Sequence, residues 1–296
     1  NLTQKIQTHL KKHLRKKHQR TNQKPVVQAP QVLPQKNSVP EPHQTFLDQS
    51  VPLLKHDPRI LGVAVGGSYL LGELDDFSDL DLVVYVDPQH YNTVLAERNI
   101  IVEKLGPLLE SFTGEHVGEP RLLICLFGSP LLHVDFKFVS MDEIEDKVEN
   151  PVVLWEREEV ISGQINLVPA EFPQPDLEWI EKRFWTWVHY TATKSGRGEI
   201  FEAIEAIGFL RVKVLGPIIL KKNGARPQGL RKLESHLNQE ELTTLRATLP
   251  SYDARDCLRA LRKSVALYIS IRESPGKKNL EKEVHEYLNK IEAQLC

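Results

Sequence analysis

The sequence predicts an α+β fold, in which an N-terminal mixed-sheet domain precedes a C-terminal helical bundle domain. Two patterns support this prediction. Short apolar segments of β character occupy the first half of the chain, and helical periodicity dominates from residue 176 onward. A mixed half followed by a helical half is typical of two packed domains. The chain has 296 residues, of which 41% are hydrophobic, so it is long enough to form two cores.

The domain limits follow from composition. Residues 1–24 carry eight Lys or Arg and no acidic residue, and apolar residues at four-residue spacing form a thin stripe along them. This pattern favours a frayed tail or, alternatively, an arm that binds a membrane surface or nucleic acid. A proline-rich linker follows. We therefore expect a poorly ordered tail and linker over residues 1–43, a mixed-sheet domain over 44–165 and a helical domain over 166–296.

The elements of the mixed-sheet domain can be read in order. They begin with a helix in TFLDQSVPLLKHD, a buried strand in ILGVAV, a glycine turn and a second strand in LDLVVYV. Residues 91–112 contain a helical stretch that is broken near Gly106 and Pro107. Two further strands, RLLICLF and LLHVDFKFV, are joined by GSP as a hairpin, and VVLWER is the last segment of β character.

The second half reads as helices with apolar faces. The helix DLEWIEKRFWTWVHYTATK carries one apolar stripe, formed by Leu177, Ile180, Phe184, Trp187 and Val188. Most of its aromatic residues are expected to belong to the core, and lining a substrate pocket is the alternative. The bundle is completed by EIFEAIEAIGFLRVKVLG, CLRALRKSVALYISI and EKEVHEYLNKIEAQL.

Charge and cysteine content exclude several classes of protein. Of the 38 Lys and Arg, eight lie in residues 1–24, which leaves 30 basic against 40 acidic residues in the rest. An acidic body argues against nucleic acid as a partner and suits a cationic small molecule. Three widely separated cysteines, Cys125, Cys257 and Cys296, predict free thiols in a reducing cytoplasm. We expect no transmembrane helix and no secretory signal.

Two aspartates stand where the second strand begins. In SDLDLVVYV, the period of two places Asp79 and Asp81 on one face and the apolar residues on the other. Two carboxylates on one face repel each other, so the pair makes most physical sense with a bound cation. Mg²⁺ fits best, because it prefers oxygen ligands and shares its coordination shell with phosphates. A solvated strand entrance is the alternative interpretation.

Two further features favour the metal interpretation. After the first strand, the turn VGGS combines Gly66 and Gly67 with the hydroxyl of Ser68. Glycines let the backbone approach a ligand closely, and the N–H groups of such a turn can cradle a phosphate. In LLHVDFKFV, the alternation places Asp135 on the polar face of a later strand, where an acid is costly without a partner.

Together these residues resemble the signature of the nucleotidyltransferase superfamily that includes DNA polymerase β. The signature consists of a hydrophobic strand, Gly-Gly or Gly-Ser, a spacer, Asp-x-Asp and a third acid on a later strand. Its positions in this chain are Gly67, Ser68, Asp79, Asp81 and Asp135. The resemblance covers roughly residues 45–140. More loosely, residues 176–222, with KSGRGEIFEAIEAI, are similar to bacterial aminoglycoside and lincosamide nucleotidyltransferases.

The resemblance implies Mg²⁺-dependent transfer of a nucleoside monophosphate, AMP from ATP or another NTP, with release of pyrophosphate. The acceptor would be a hydroxyl of a small molecule such as an aminoglycoside or lincosamide antibiotic. Asp79 and Asp81 would bridge two Mg²⁺ ions, and Asp135 would complete one metal site and act as general base. The phosphates would be held by Gly66, Gly67 and Ser68. The mixed-sheet domain would be catalytic, and the helical domain would bind substrate.

Other charged residues are weaker candidates. Lys194 and Arg197, at the end of the aromatic helix, are expected either to contact the triphosphate or to stabilise the helix C-terminus. Glu199 is an alternative general base or a favourable residue at a helix start. His133 and Lys137 share the face of the third acid and either touch substrate or pair with acids.

Two other functions are weighed against this one. The first is a toxin–antitoxin or regulatory protein of the same fold, acting on a protein or RNA partner. Minimal nucleotidyltransferases pair with helical RNase-like proteins whose motif is Arg, several residues and then His, and RFWTWVH meets that spacing from Arg183 to His189. Such a short motif is more often chance. An RNA-modifying nucleotidyltransferase would use residues 1–24 as an RNA-binding arm, but the acidic body argues against it.

Overall fold

The computed structural model describes residues 39–273 and 275–295. The chain forms two compact units, Asn1–Glu171 and Phe172–Cys296. The first contains a six-stranded mixed sheet, and the described residues of the second are helical or irregular, which confirms the predicted fold class. The predicted basic stripe in residues 1–24 and the predicted free thiol of Cys296 lie outside the described residues.

The sheet has the strand order β3-β4-β5-β2-β1-β6. Strands β2 and β5 are parallel, and the other four neighbouring pairs are antiparallel. The connection between β4 and β5 is the predicted hairpin. The strands are β1 Ile60–Val65, β2 Leu80–Val86, β3 Leu108–Gly114, β4 Glu119–Phe127, β5 Leu132–Ser140 and β6 Val152–Glu156.

Two helices and the sheet share one core. Helix α1 spans Glu41–His56 and helix α2 spans Tyr91–Val102. Their apolar side chains join the inward-facing residues of β2 and β5 in one buried cluster. The opposite face of the sheet packs a smaller cluster, which includes Tyr85, Val139 and residues of the segment between β5 and the second unit. On this opposite face of the sheet, the alternation along β2 and β5 leaves positions near the N-terminal ends of the two strands for polar side chains.

Strand β3 differs from the sequence-based prediction, which placed residues 91–112 in a broken helical stretch. Helix α2 ends at Val102, and the residues after Pro107 pair with β4 as an edge strand. Proline cannot continue the helix, and an edge strand keeps only part of its side chains buried. Its alternation is consequently weak, so the sequence pattern did not identify it.

Helix α1 begins at Glu41, inside the segment predicted to be linker up to residue 43. Pro40 is its N-cap and Pro42 lies in its first turn, where a missing N–H costs nothing because that group has no intrahelical partner. The same prolines that resemble linker composition therefore start a helix. Pro52 lies inside α1, which continues to His56.

The second unit is built from helices with capped starts. Asp176 and Asp253 accept hydrogen bonds from the backbone N–H groups of Trp179 and Asp256, and so cap α3 and α8. A capping box formed by Asn238 starts α7. The helices are α3 Leu177–Gly196, α4 Ile200–Leu210, α5 Gly216–Lys222, α6 Leu233–His236, α7 Gln239–Arg246, α8 Ala254–Ile271 and α9 Lys278–Leu295.

The aromatic helix α3 supplies much of the core of this unit. Phe184 and Trp185 are fully buried, and the Phe184 ring stacks on Tyr268 with a centroid distance of 3.7 Å. Trp179 and Trp187 are partly buried against the core, whereas Tyr190 is exposed. Most of the aromatic set thus packs as core, as the helical spacing indicated. Within the described residues, no helix is long and apolar enough to cross a membrane.

Candidate active site

Three aspartates meet at the start of two parallel strands. Asp79 immediately precedes β2, Asp81 is the second residue of β2, and Asp135 lies in β5. In the parallel register, Asp81 is paired directly with Asp135. One carboxylate oxygen from each of the three aspartates lies within 4.8 Å of the other two. The structure therefore brings together all three acids that the sequence pattern selected.

The apolar neighbours explain why these carboxylates share a face. Leu80 and Leu82 flank Asp81 and are fully buried, as are Val134 and Phe136 around Asp135. A one-residue slip of either strand would expose these side chains and bury a carboxylate. Each buried side chain contributes about 2 kcal/mol, so the core on one face fixes the orientation of the acids on the other.

The donor set fits a hard divalent cation. Three carboxylates this close repel one another when all are ionised, and a bound cation relieves that repulsion. Oxygen ligands with no sulfur or imidazole among them are typical of Mg²⁺, Mn²⁺ or Ca²⁺ sites. All three side chains are partly exposed, so a ligand can reach them. Asp79, Asp81 and Asp135 are therefore the residues that could hold a metal.

The glycine turn lies directly against Asp81. The N–H of Gly66 donates a hydrogen bond to the carbonyl oxygen of Asp81, with an N···O distance of 2.8 Å. Gly67 has a φ of +59°, and a Cβ built on it would collide with the Asp81 carboxylate. Ser68 follows in the 3-10 turn Gly67–Leu71 and is partly exposed. The three residues predicted to hold phosphate are thus next to the acids.

A fourth acid, which no sequence pattern indicated, lies at this turn. The carboxylate oxygen Oε1 of Glu149 accepts a hydrogen bond from the N–H of Gly67 at 2.7 Å. Glu149 comes from the irregular segment between β5 and β6, where no periodic pattern assigns a face to a side chain. The Glu149 carboxylate therefore accepts a hydrogen bond from the Gly67 N–H, one of the backbone groups predicted to bind phosphate.

One family comparison matches the region that carries this geometry. Residues 50–118 match the family described as nucleotidyltransferase domain. This region is similar to nucleotidyltransferase domains. The match includes β1, the glycine turn and the Asp79–Asp81 pair, and it ends before Asp135. It confirms the predicted resemblance to the nucleotidyltransferase superfamily and agrees with the predicted enzyme class.

Solved structures with a nucleotidyltransferase name share only a weak likeness with the chain. An aminoglycoside 6-adenyltransferase from Bacillus subtilis is 16% identical, with 85% of this chain and 98% of that chain covered and a TM-score of 0.37. A nucleotidyltransferase-like protein from Exiguobacterium sibiricum is 13% identical, with coverages of 85% and 86% and a TM-score of 0.36.

A spectinomycin adenyltransferase from Enterococcus faecialis, solved with ATP and spectinomycin, is 12% identical. The coverages are 85% of this chain and 98% of that chain, and the TM-score is 0.26. Likenesses this weak carry no argument about substrate. No curated protein matches the chain significantly.

Beside the acids, the first compact unit has a cavity of about 190 Å³. The residues that line it include the acids Asp81, Asp135 and Glu149 and the cations Lys137 and Lys147. The ammonium group of Lys147 donates a hydrogen bond to the carbonyl oxygen of Val168 at 2.7 Å, and burial lowers the pKa of this lysine. The cavity thus combines carboxylates with cationic groups next to the glycine turn.

His133 and Lys137 of the first compact unit both pair with acids. His133 Nε2 lies 2.9 Å from Asp135 Oδ1, and Lys137 Nζ lies 3.0 Å from Glu119 Oε2. Burial alone would raise the pKa of Glu119, but hydrogen bonds from Arg121 and Lys137 outweigh it and lower that pKa to about 2. Of the two alternatives weighed for His133 and Lys137, these contacts favour pairing with acids.

Lys194, Arg197 and Glu199 belong to the second compact unit, where both cations contact the Glu199 carboxylate. Lys194 Nζ lies 2.5 Å and Arg197 Nη1 lies 3.6 Å from the Glu199 carboxylate. The hydrogen bond between Lys194 and Glu199 raises the pKa of the lysine and lowers the pKa of the carboxyl group. A carboxylate with a lowered pKa is a weaker base, which disfavours Glu199 as the alternative general base.

Arg183 and His189 also lie on α3 and have different neighbours. The Arg183 guanidinium donates to the carbonyl oxygen of Trp179 at 3.1 Å and lies over the Trp179 ring. The His189 ring packs against Tyr287, with a centroid distance of 4.4 Å. These contacts are structural and give no support to the RNase-like interpretation of their spacing.

Proposed function

We propose that the chain catalyses Mg²⁺-dependent transfer of AMP from ATP to a hydroxyl group of a small molecule, with release of pyrophosphate. The observation that carries this proposal is the meeting of Asp79, Asp81 and Asp135 beside the glycine turn of a nucleotidyltransferase domain. Positioned carboxylates next to backbone N–H donors suit phosphoryl chemistry, in which catalysis is mainly positioning and charge stabilisation.

The three aspartates would share the metal-binding role. Asp79 and Asp81 would bridge two Mg²⁺ ions, and Asp135 would complete one of the two sites. When bound, Mg²⁺ supplies Lewis-acid stabilisation of negative charge on the phosphate oxygens. The support for this assignment is the mutual distance of the oxygens and their hard-ligand chemistry.

Asp135 would also act as general base. A carboxylate oxygen of Asp135 takes the proton of the acceptor hydroxyl while the hydroxyl oxygen forms a bond to the α-phosphorus of ATP. The bond from the α-phosphorus to the bridging oxygen breaks, and its electron pair leaves with pyrophosphate. His133 contacts Oδ1 of the same carboxylate, which limits the rotation of the base.

The glycine turn would bind the β- and γ-phosphates through Gly66, Gly67 and Ser68. Phosphate oxygens would take the Gly67 N–H that Glu149 now occupies. Triphosphate contacts of Lys194 and Arg197 stay a prediction from the sequence, and both residues pair with Glu199 in the structure.

The acceptor would be a small-molecule antibiotic, either a polyamine-like aminoglycoside or a lincosamide. The support for this acceptor is the acidic charge of the chain outside residues 1–24. That part contains 40 acidic residues and 30 basic ones, because eight of the 38 Lys and Arg lie in residues 1–24. Residues 44–165 would form the catalytic domain and residues 166–296 the substrate-binding domain. The activity would be cytoplasmic and would confer antibiotic resistance, and the buried free thiols Cys125 and Cys257 suit a reducing compartment.

The proposal is tested by pyrophosphate release and by the mass of the acceptor. With ATP, Mg²⁺ and a panel of aminoglycosides and lincosamides, the wild-type chain should add one nucleotide to an acceptor. Asp79→Ala and Asp81→Ala should abolish turnover, with a loss of at least about 10³-fold. Asp76→Ala removes an exposed acid from the same stretch and should leave turnover unchanged. Absence of turnover with every NTP and acceptor, together with RNA cleavage or binding of a protein partner, would contradict the proposal.

A further inference from the structure

A buried histidine contacts the backbone just before Asp79. His43 is the third residue of α1, and only 1% of it is exposed. Its Nε2 lies 2.7 Å from the carbonyl oxygen of Ser78. This contact joins the first helix to the loop that carries the first aspartate of the triad, across 35 residues of sequence.

The hydrogen bond fixes which ring nitrogen carries the hydrogen. A carbonyl oxygen can only accept, so Nε2 of His43 must be the donor. The other ring nitrogen, Nδ1, is buried and has no hydrogen-bond partner among the described residues. An apolar side chain would fill this space without leaving a polar atom unpaired. The polar ring at this position is therefore explained by its one contact with Ser78.

The hydrogen bond from His43 restrains the backbone next to Asp79, which is the one of the three aspartates that lies outside a β-strand. Asp81 and Asp135 lie within β-strands and are held by ladder pairing, whereas Asp79 lies before the first residue of β2. The Ser78 carbonyl belongs to the peptide group that continues into Asp79, so holding its oxygen orients the backbone of Asp79. Ser78 is held on its other side by a turn, in which its hydroxyl donates to Asp75 Oδ1 at 2.9 Å.

We propose that His43 is a positioning residue for Asp79, and that its hydrogen bond to Ser78 sets the metal affinity of the three aspartates. This inference rests on the proposed function, since it takes the aspartates as metal ligands. Outer contacts that orient a ligand typically change metal affinity by about tenfold or more when they are removed.

The test is direct titration of Mn²⁺ binding to the full chain, without ATP or acceptor. His43→Gln keeps an N–H donor, and His43→Met has similar length without one. We expect Mn²⁺ affinity to fall about tenfold in the Met variant and much less in the Gln variant. The matched control is His56→Met, which removes an exposed histidine from the other end of the same helix, where its Nδ1 contacts the Pro52 carbonyl oxygen at 2.7 Å. It should bind Mn²⁺ like the wild type.

Thermal unfolding separates positioning from folding. His43→Phe, which keeps ring volume without the donor, serves as a second variant if the Met variant does not fold. Equal Mn²⁺ affinity in the wild type and in a folded variant without the donor overturns the inference and leaves the proposed function in place. Absence of Mn²⁺ binding to the wild type overturns the metal site itself, and the inference with it.

Discussion

At the scale of single residues, the closest approach in the site is between Gly67 and Asp81. The backbone of Gly67 has a positive φ, and its missing side chain leaves the space that the Asp81 carboxylate occupies. Two separate requirements therefore select glycine here. One is conformational, and the other is steric and specific to the neighbouring acid.

Gly67→Ala should lose both stability and nucleotide binding. The positive φ costs about 1 kcal/mol for a residue with a side chain, and the added methyl displaces Asp81. Gly118→Ala isolates the first effect, because Gly118 also has a positive φ but nothing lies within 4 Å of an added Cβ. Urea unfolding should show a similar loss for both variants or a larger one for Gly67→Ala. ATP binding should fail only in Gly67→Ala, and retained ATP binding there contradicts the assigned turn.

Glu149 should compete with the triphosphate for the turn. Its carboxylate accepts the Gly67 N–H that phosphate oxygens would use. Glu149→Ala should therefore bind ATP more tightly, by roughly tenfold if a hydrogen bond to a charged group is exchanged. Calorimetric titration with ATP measures the change. Glu145→Ala removes an equal charge from an exposed position of the same segment and should change affinity little. Weaker ATP binding in Glu149→Ala would show that the carboxylate assists the nucleotide instead.

Sequence reasoning identified some of these residues for a physical reason. Asp81 and Asp135 lie in β-strands, where successive side chains point to opposite faces of the sheet. The apolar residues beside them face the core, so both aspartates were predicted to lie on the other face. Glu149 stands in an irregular segment, and its contact depends on a path of the backbone that no local pattern encodes. His43 lies on a helix, yet its partner is 35 residues away and is a backbone carbonyl.

At the scale of elements, β4 and β5 are joined by an ion-pair group centred on Glu119. Its carboxylate pairs with Arg121 at 2.8 Å on the same strand and with Lys137 at 3.0 Å on β5. Arg121 also reaches Glu143 at 2.9 Å, just after β5. The group therefore connects the strand that carries Asp135 to its antiparallel neighbour by contacts that depend on protonation.

Acid should weaken this connection. The pKa of Glu119 is about 2 in the folded chain and lies below its ordinary value of 4.5, so ionised Glu119 stabilises the fold. This stabilisation is complete when the pH is above the ordinary pKa of 4.5. It is lost as the pH falls through the pKa of Glu119 in the folded chain, about 2. Glu119→Gln should destabilise the chain by about 1 kcal/mol near neutral pH, and the difference should shrink in acid. Urea unfolding across pH measures it. Glu103→Gln, at an exposed site, serves as the control, and a gap that widens in acid contradicts the argument.

Elements were predicted well where their pattern was strong. The five strands of clear β character and the aromatic helix have long apolar patterns, because their apolar side chains pack against the cores. Strand β3 was missed because it is an edge strand with most side chains partly exposed. The start of α1 was missed because its prolines serve equally in a linker and in a first helical turn.

At the scale of the whole molecule, each compact unit has its own buried core, and the two cores are built differently. The first is a sheet covered by helices, and the second is a helical bundle around an aromatic helix. This plan was predicted from the change of periodicity along the chain. The domain limits at residues 43 and 165 stay predictions. Amino-acid composition changes gradually along the chain, so it gives only an approximate position for a domain boundary.

Two truncations should separate the basic segment from the catalytic unit. Deletion of residues 1–38 leaves α1 whole and should leave pyrophosphate release unchanged. Deletion of residues 1–43 removes the first turn of α1 together with His43, and should lower Mn²⁺ affinity about tenfold. Titration and turnover of both chains measure the difference. Equal behaviour of the two truncations would show that the start of α1 is dispensable, and loss of RNA binding in both would favour the RNA-modifying alternative.

The level pairing of Asp81 with Asp135 also restricts how this gene can change in length. Gain or loss of one codon within β2 or β5, ahead of either acid, would turn that carboxylate into the apolar core. Residues 128–131 connect β4 to β5 and lie outside β2 and β5. A codon added there therefore leaves the pairing of Asp81 with Asp135 unchanged. Descendants of this sequence should therefore vary in length at that loop and keep their strands free of insertions.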